Sequence, residues 1–387
     1  MNKSYIWKVA VTAGIILLFI GGYSSISKNS VSGEYGNTAG HTAKIGVSLP
    51  LTGKSASIGE RVKNAITLAQ EEINSSSNGS TYKIDLIFQD DQGESTPTVN
   101  TIQKLIQTDK VKIILGLIKS DPLLAIAPIT EKEKVIVMSP TAGADAISTA
   151  GDYIFRTIET AIMHGKKSAS LFRELQIHKV AVLTANASNA QTYSKHFKEQ
   201  FALSDGQIVE DTSYPSEQTD FKTDIAKAIK SNAGGIFIGV GTAKEAGLIV
   251  KQSRELGFKG VIVASVAADA QEFFNTAGTS AKGTYVIASP FNTKSNLEAK
   301  KFGEQYYAKY GTHPDGFAAN GYDALKLLSK AVDICEGTSD TACIRDYLYS
   351  IKGYEGVGGT ISFNSNGDVV KEPQVKIAEN EAFKVWK

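Results

Sequence analysis

Ala43-Lys-Ile-Gly-Val-Ser-Leu49 is a short, largely apolar run, and the turn Pro50-Leu-Thr-Gly53 follows it. Residues 58–73 come next and carry apolar side chains at positions 62, 65, 66, 69 and 73. This is the i, i+3, i+4 spacing of a helix that packs on a sheet. The stretch therefore predicts a strand, a turn and a helix, and it sets the fold class because similar units return along the chain.

The same alternation of apolar strands and amphipathic helices recurs in two series. Further strands are predicted at 83–88, 111–115 and 135–138 in the first series, and at 179–183, 207–209, 235–239, 260–264 and 283–288 in the second. Continuous apolar strands that alternate with helices indicate parallel sheets covered on both faces. A chain of 387 residues also exceeds what one core usually organises. The sequence thus predicts an α/β protein with two doubly wound parallel-sheet lobes and a cleft between them.

The lobe boundaries follow from where the second series begins and ends. The first lobe is predicted to comprise residues 43–161 and 289–364, and the second lobe residues 162–288 and 365–387. The chain would cross between lobes near Ala161 and Ser289.

The N-terminal residues have the pattern of a targeting segment. Within residues 1–23, Lys3 and Lys8 precede an uncharged apolar run from Val9 to Gly22, which is typical of a signal peptide or an N-terminal membrane anchor. The pattern does not separate these two alternatives, but both place the remaining chain outside the cytoplasm. Residues 24–42 are rich in Ser, Gly and Asn and are predicted to be a flexible linker.

Charge and cysteine content exclude several classes of partner. Lys and Arg total 41 against 40 for Asp and Glu, a net charge of +1, so no nucleic-acid partner is expected. Five scattered histidines and the lack of a CxxC pair predict no metal site. Cys335 and Cys343 flank a short polar turn and are predicted to form either a local disulfide or a pair of buried free thiols.

The residues after the predicted strands are mostly hydroxyls, amides and glycines, which points to binding and not to catalysis. No Ser-His-Asp arrangement or G-x-S-x-G elbow occurs at a predicted strand end. The run Gly239–Gly247 departs from the dinucleotide-binding spacing because Lys244 occupies the place of the third glycine, so no cofactor is expected. We interpret Asp90 and Asp91 as turn residues, and Ser120 as a helix cap that can also contact a ligand.

Taken in order, several motifs resemble the periplasmic branched-chain-amino-acid-binding family, the type I solute-binding proteins of ABC importers. The motifs are Ile45-Gly-Val-Ser-Leu-Pro-Leu-Thr-Gly53, Gln89-Asp-Asp-Gln-Gly93, Ile114-Leu-Gly116 with Ser120, Ser139-Pro140, Phe155-Arg-Thr157 and Asn320-Gly-Tyr-Asp-Ala324. The resemblance implies two lobes joined by three crossovers, a small-molecule ligand held by hinge closure, and a membrane permease as partner. An extracellular sensor that signals through a separate membrane partner is the alternative.

The resemblance and the strand ends together give a set of candidate ligand contacts. The set is Ile58, Ser120, Thr141, Ala142, Gly143, Asn189, Thr242, Val266 and Asp269. In the family, a serine like Ser120 and the groups at 141–143 hold an amino acid's carboxylate.

This chain departs from the family pattern at several of these positions. Gly143 lies where Thr is common, Asn189 and Thr242 lie where aromatic rings are usual, and Val266 lies about where an acid meets the ligand's ammonium. Because a buried ammonium needs a counter-ion, the missing acid argues against a standard α-amino acid unless Asp269 replaces it. The expected ligand is therefore left open among amino acids, amides, small carboxylates and other polar metabolites.

Overall fold

The computed structural model describes residues 41–75, 80–216 and 218–386. The predicted targeting segment at residues 1–23 lies outside the described residues, as does the predicted linker up to residue 40. His41 and Thr42 were assigned to that linker, but they form the start of the first strand and pair with Tyr82 and Lys83. The ring of His41 packs on that of Tyr82, with 5.4 Å between ring centroids. Residues 41 and 42 are therefore held in the strand by its neighbour, although they lack the apolar side chains by which the sequence marks a strand.

Within the described residues, the chain alternates between strands and helices. The strands are β1 (His41–Leu49), β2 (Tyr82–Asp90), β3 (Ile113–Gly116), β4 (Ile136–Ser139), β5 (Ile154–Glu159), β6 (Lys179–Ala185), β7 (Gln207–Tyr214), β8 (Gly235–Gly239), β9 (Val261–Ala264), β10 (Thr284–Ala288), β11 (Tyr354–Gly356), β12 (Gly359–Ile361), β13 (Asp368–Val369), β14 (Gln374–Glu379) and β15 (Ala382–Val385). The α-helices are α1 (Ala56–Asn74), α2 (Ser95–Gln107), α3 (Ser120–Lys132), α4 (Ala161–Glu174), α5 (Ser188–Ala202), α6 (Lys222–Lys230), α7 (Ala243–Glu255), α8 (Gln271–Ala277), α9 (Leu297–Tyr310), α10 (Gly316–Ile334) and α11 (Thr341–Ser350).

The first lobe is built on a parallel sheet with the strand order β13-β5-β4-β3-β1-β2 among the described residues. Successive side chains of a strand point to opposite faces, so β3 supplies both cores. Ile113 and Leu115 pack with residues of α1 and α10, whereas Ile114 packs with residues of α2 and α3. The sheet is therefore covered by helices on both faces.

The second lobe has the strand order β15-β14-β10-β9-β8-β6-β7 among the described residues. Strands β6 to β10 pair in parallel, and β14 and β15 add antiparallel neighbours at one edge. Residues of α6, α7 and α8 pack on one face of the sheet, and residues of α4 and α5 pack on the other. Two doubly wound α/β lobes are thus present, and the predicted fold class is confirmed.

The last crossover lies later in the chain than the sequence indicated. Residues from 365 onward were assigned to the second lobe, but β13 pairs with β5 in the first lobe's sheet. Gly367 makes this approach possible, because a Cβ at this position would lie 2.2 Å from the carbonyl oxygen of Ile154. A buried ion pair between Arg156 and Asp368, with 2.6 Å between Nε and Oδ1, then holds the strand in place.

Cys335 and Cys343 form a disulfide, with 5.9 Å between their Cα atoms. Of the two alternatives that the sequence left open, the local disulfide is therefore correct. The bond joins the end of α10 to the first turn of α11.

None of the helices in the described part of the chain combines the length and the apolar character that crossing a membrane requires.

Candidate functional site

A cavity of about 280 Å³ lies between the two lobes. Its walls include residues that follow the carboxyl ends of strands in both sheets. From the first lobe these are Ser120 after β3 and Thr141 after β4; from the second they are Asn186 after β6, Ser216 after β7, Gly241 after β8 and Val266 after β9. This is where open α/β sheets place their ligands.

Four helices begin at the cavity, two from each lobe. Ser55 precedes α1, Ser120 opens α3, Ala187 precedes α5, and Thr242 precedes α7. The first N–H groups of a helix lack partners within the helix, and the helix dipole is positive at this end. The cavity wall is therefore suited to an anionic group such as a carboxylate.

Ser120 lines the cavity but does not cap its helix. Lys119 occupies the N-cap position, and Ser120 Oγ accepts a hydrogen bond from the backbone N–H of Ala144 at 3.2 Å. The cap interpretation was wrong because the loop after β4 lies close enough to bind this hydroxyl. A serine hydroxyl that accepts one bond retains a hydrogen to donate, so Ser120 can still bind a carboxylate.

Six of the nine candidate contacts line the cavity. They are Ile58, Ser120 and Thr141 from the first lobe, and Asn189, Thr242 and Val266 from the second. Ala142 and Gly143 are buried outside the set of residues that line it.

The structure places Asp269 away from the cavity. Its Oδ2 lies 2.7 Å from Nζ of Lys376, a residue of β14, and both side chains are buried. Burial raises the pKa of the Asp269 carboxyl, and the charge of Lys376 opposes this rise. The acid that the sequence offered in place of Val266 is therefore paired within the second lobe.

Tyr193 is a cavity residue that the sequence did not single out. Tyr193 extends from α5 in the second lobe towards Gly143 in the first lobe. Its hydroxyl occupies the space that a side chain at position 143 would need, because a Cβ on Gly143 would lie 2.1 Å from the hydroxyl oxygen. The side chain is 2% exposed, and no hydrogen-bond partner for its hydroxyl occurs among the described residues. Burial, followed by the charge of Glu159, raises the pKa of this phenol. Helical spacing marks Tyr193 only as a buried residue of α5 and carries no signal that it reaches across the cleft.

Glu245 is a second such residue, in the first turn of α7. It lines the cavity, is 6% exposed, and accepts a hydrogen bond at Oε2 from the N–H of Gly241 at 2.8 Å. Its own N–H donates to Oγ1 of Thr242 at 3.2 Å. The sequence did carry a signal here, because Thr242-Ala-Lys-Glu245 has the spacing of a capping box.

The two lobes contact each other around the cavity. Ser188 donates a hydrogen bond to the carboxylate of Asp121, and Nε2 of His196 lies 2.6 Å from Oδ2 of Asp145. The Ser57 hydroxyl of the first lobe also lies 3.5 Å from Oε2 of Glu272 in the second lobe. The lobes are therefore closed on each other.

The three crossovers between the lobes meet at one buried carboxylate, that of Glu159. Glu159 ends β5, and it accepts a hydrogen bond from the Ser289 hydroxyl at 2.6 Å in the second crossover. Nζ of Lys371, in the third crossover, lies 3.2 Å from Glu159, and Nε2 of His164 lies at 3.3 Å. Burial alone would raise the pKa of this carboxyl, but Lys371, His164 and Ser289 outweigh it and lower the pKa to about 2. Glu159 therefore binds the crossovers together as an anion.

Comparison with known proteins extends this description. A family model described as "Periplasmic binding protein" matches residues 42–378. A leucine binding protein from Thermotoga maritima is 30% identical, with a TM-score of 0.83, and the match covers 89% of this chain and 98% of that one.

Two further solved structures match over similar lengths. A branched-chain amino acid transporter substrate binding protein from Streptococcus pneumoniae, in complex with isoleucine, is 28% identical with a TM-score of 0.82, covering 89% of this chain and 99% of that one. A solute binding protein of an ABC transporter from Rhodopseudomonas palustris, in complex with 3,4-dihydroxybenzoic acid, is 26% identical with a TM-score of 0.81, covering 88% and 95%. The two-lobed fold, the cavity between the lobes and the match of the family model along nearly the whole described chain lead to one conclusion: the chain belongs to the periplasmic binding protein family.

Proposed function

We propose that this chain is the extracytoplasmic solute-binding component of an ABC-type importer. It holds an amino acid or a related small polar metabolite between its lobes, performs no chemistry on it, and delivers it to a membrane permease. The observation that carries the proposal is the closed cavity of about 280 Å³ into which four helix N-termini open.

The size and polarity of the cavity support a small ligand with a carboxylate. The volume lies near the lower end of the roughly 300–1,000 Å³ of ordinary ligand pockets, so it suits a molecule of amino-acid size. The two relatives with bound ligands hold isoleucine and 3,4-dihydroxybenzoic acid. Both molecules have a carboxylate, which in this chain the N-terminus of α3 and the hydroxyl of Ser120 are suited to bind.

The joint between the lobes supports hinge closure. The chain crosses between the lobes three times, and the crossovers converge at Glu159, so the lobes can rotate about this region while they stay connected. The permease would recognise the closed form, in which the surfaces of both lobes come together.

Membership of the family implies an extracytoplasmic location. The disulfide between Cys335 and Cys343 agrees with an oxidising compartment. In this proposal, residues 1–23 direct export or anchor the chain to the membrane.

A thermal-shift screen tests the proposal on residues 40–387, which form one compact unit. A ligand that binds only the folded chain at 100 times its Kd adds about 2.7 kcal/mol to the free energy of unfolding, so its addition should raise Tm. Ser120→Ala should reduce the shift, whereas Thr149→Ala, on an exposed surface of the same lobe, should leave it unchanged. The proposal fails if neither amino acids nor small carboxylates raise Tm.

A further inference from the structure

We infer that His196 is a proton-dependent latch between the lobes: its protonated ring joins Asp145 of the first lobe to Glu199 of the second, and loss of the proton weakens the closed form. This inference rests on hinge closure in the proposed function and adds a form of regulation to it.

His196 lies on α5 of the second lobe, and its ring faces two carboxylates. Nε2 lies 2.6 Å from Oδ2 of Asp145, which begins the short 3-10 helix Asp145–Thr149 of the first lobe. Nδ1 lies 3.1 Å from Oε2 of Glu199, one turn farther along α5. The histidine is 8% exposed, so little water competes for these contacts. Each lobe thus contributes one carboxylate to the same ring.

The two contacts determine the protonation state of this ring. An ionised carboxylate only accepts hydrogen bonds, and a neutral imidazole has a single N–H to donate. Both ring nitrogens can donate at once only in the imidazolium form, so an arrangement with a carboxylate at each nitrogen is that of a protonated His196. When the proton leaves, one nitrogen turns a lone pair towards a carboxylate, and one of the two bonds is lost.

Closure affects the two carboxylates differently. Glu199 belongs to the same helix as His196 and stays beside it whatever the position of the lobes. Asp145 belongs to the first lobe and reaches the ring only when the lobes close. Closure therefore adds an anion beside the ring and favours its protonated form. Because linked equilibria are reciprocal, protonation favours closure by the same factor.

The elements that pack around His196 carry further charged and titratable groups, each of which has a partner elsewhere or reaches solvent. They are His164, Lys166 and Lys167 of α4, Arg156 of β5, Asp121 of α3, and Lys195 of α5. Within the described part of the chain, no hydrogen bond or ion pair joins any of them to the His196 ring. Asp145 and Glu199 are therefore the charges in direct contact with it.

The direction of the pH effect follows from the chemistry of these side chains. Asp and Glu side chains ordinarily ionise near about pH 4, and histidine side chains ordinarily titrate between about pH 5 and 8. The latch is therefore formed at about pH 6 and weakened at about pH 8. A solute held by the closed form should be bound more tightly in an acidic medium than in an alkaline one.

Small-angle X-ray scattering on residues 40–387, which form one compact unit, tests the inference before any ligand is added. Between pH 6 and pH 8 the ratio of closed to open molecules should fall about three- to tenfold, as expected for the loss of one charged hydrogen bond that is partly open to solvent. The radius of gyration should therefore be larger at pH 8. In Asp145→Asn and in His196→Gln it should be the same at both pH values.

Two control variants separate the contact between the lobes from other effects. Glu199→Gln changes a contact within the second lobe and keeps Asp145, so its radius of gyration should still increase with pH. His178→Gln makes the same substitution at an exposed histidine of the second lobe and should behave like the unaltered chain. If His196→Gln does not fold, Asp145→Asn decides the test, because that side chain is 43% exposed and its replacement disturbs little packing.

Ligand affinity gives a second readout. His196, Asp145 and Glu199 lie outside the cavity wall that the described residues form, so their substitution leaves the ligand contacts in place. Isothermal titration calorimetry uses L-isoleucine and 3,4-dihydroxybenzoate, the ligands of the two relatives, as probes. A probe that binds should bind about three- to tenfold more tightly at pH 6 than at pH 8, and this ratio should fall towards one in Asp145→Asn.

The outcomes distinguish this inference from the proposed function. Equal radii of gyration at the two pH values in the unaltered chain, or a pH dependence that persists in Asp145→Asn, would overturn the latch and leave solute binding intact. If neither probe binds but the radius changes with pH as expected, the latch is supported and the proposed ligand class fails.

Discussion

Gly143 and Tyr193 show how one residue can occupy the space of another from a different lobe. Tyr193 and Val266, both of the second lobe, pack with the first lobe's hydrophobic core. The Tyr193 hydroxyl lies where a Cβ on Gly143 would be placed. The absence of a side chain at position 143 is therefore a packing requirement of the closed form.

Gly143→Ala should lower the free energy of unfolding by about 1–3 kcal/mol, because the new methyl group overpacks this contact. In a Tyr193→Phe background the same substitution should cost less, because the nearest atom is gone and the next, Cζ, would lie 2.9 Å from the Cβ. Urea denaturation of the four variants of this double-mutant cycle measures the difference. An equal cost of Gly143→Ala in both backgrounds would show that the hydroxyl does not cause the clash.

At the scale of elements, the disulfide between Cys335 and Cys343 closes a short loop between α10 and α11, since the two residues are 8 positions apart. In the chain-entropy model a loop of this length stabilises the folded state by roughly 2–3 kcal/mol. Replacing both cysteines by serine should lower the free energy of unfolding by that amount, as measured by urea denaturation. A reducing agent should have a similar effect on the unaltered chain and none on the double variant. Unchanged stability in the double variant would contradict this account.

The elements of both sheets differ in how well the sequence predicts them. Strands such as β8, with a continuous apolar run, were recognised because both of their faces are buried. Strand β13 has two residues and depends on the close approach at Gly367, which leaves no periodic signal. Arg156 interrupts the apolar pattern of β5, and only the structure shows that this charge is paired with Asp368.

The site follows the same division between local and distant contacts. Ser120, Thr141 and Val266 were predicted to line the cavity because each follows a strand, and the topology alone brings such positions together. Glu245 was missed although the spacing of a capping box marked it, and Tyr193 was missed because its position depends on which face of a helix meets the opposite lobe. That relationship depends on closure, which the pattern of a single helix does not encode.

At the scale of the whole molecule, Glu159 ties the lobes to their crossovers and makes stability depend on pH. The pKa of its carboxyl is lowered from 4.5 to about 2 in the folded chain, so its stabilisation is fully present above about pH 4.5 and is lost as the pH falls towards 2. The expected contribution is of the order of 3 kcal/mol, since one pKa unit corresponds to about 1.36 kcal/mol.

Glu159→Gln should therefore be less stable than the unaltered chain at pH 6, and the difference should shrink as the pH falls from 4.5 to 2. Free energies of unfolding from urea titrations at several pH values measure this difference. Glu60→Gln, an exposed site on α1, serves as the control and should follow the unaltered chain at every pH. A difference between Glu159→Gln and the unaltered chain that stays constant with pH would contradict the assignment of a charged Glu159.

Rotation about the joint at Glu159 also changes the distance between positions on the two lobes. When the lobes rotate about this joint, side chains that touch across the lobes in the closed form, such as Ser57 and Glu272, move apart. A pair of fluorophores at those two positions would convert opening and closing into a change in energy transfer without contact with the cavity. The same architecture that retains a solute could thus serve as an optical sensor, with a brightness that reports the concentration of that solute.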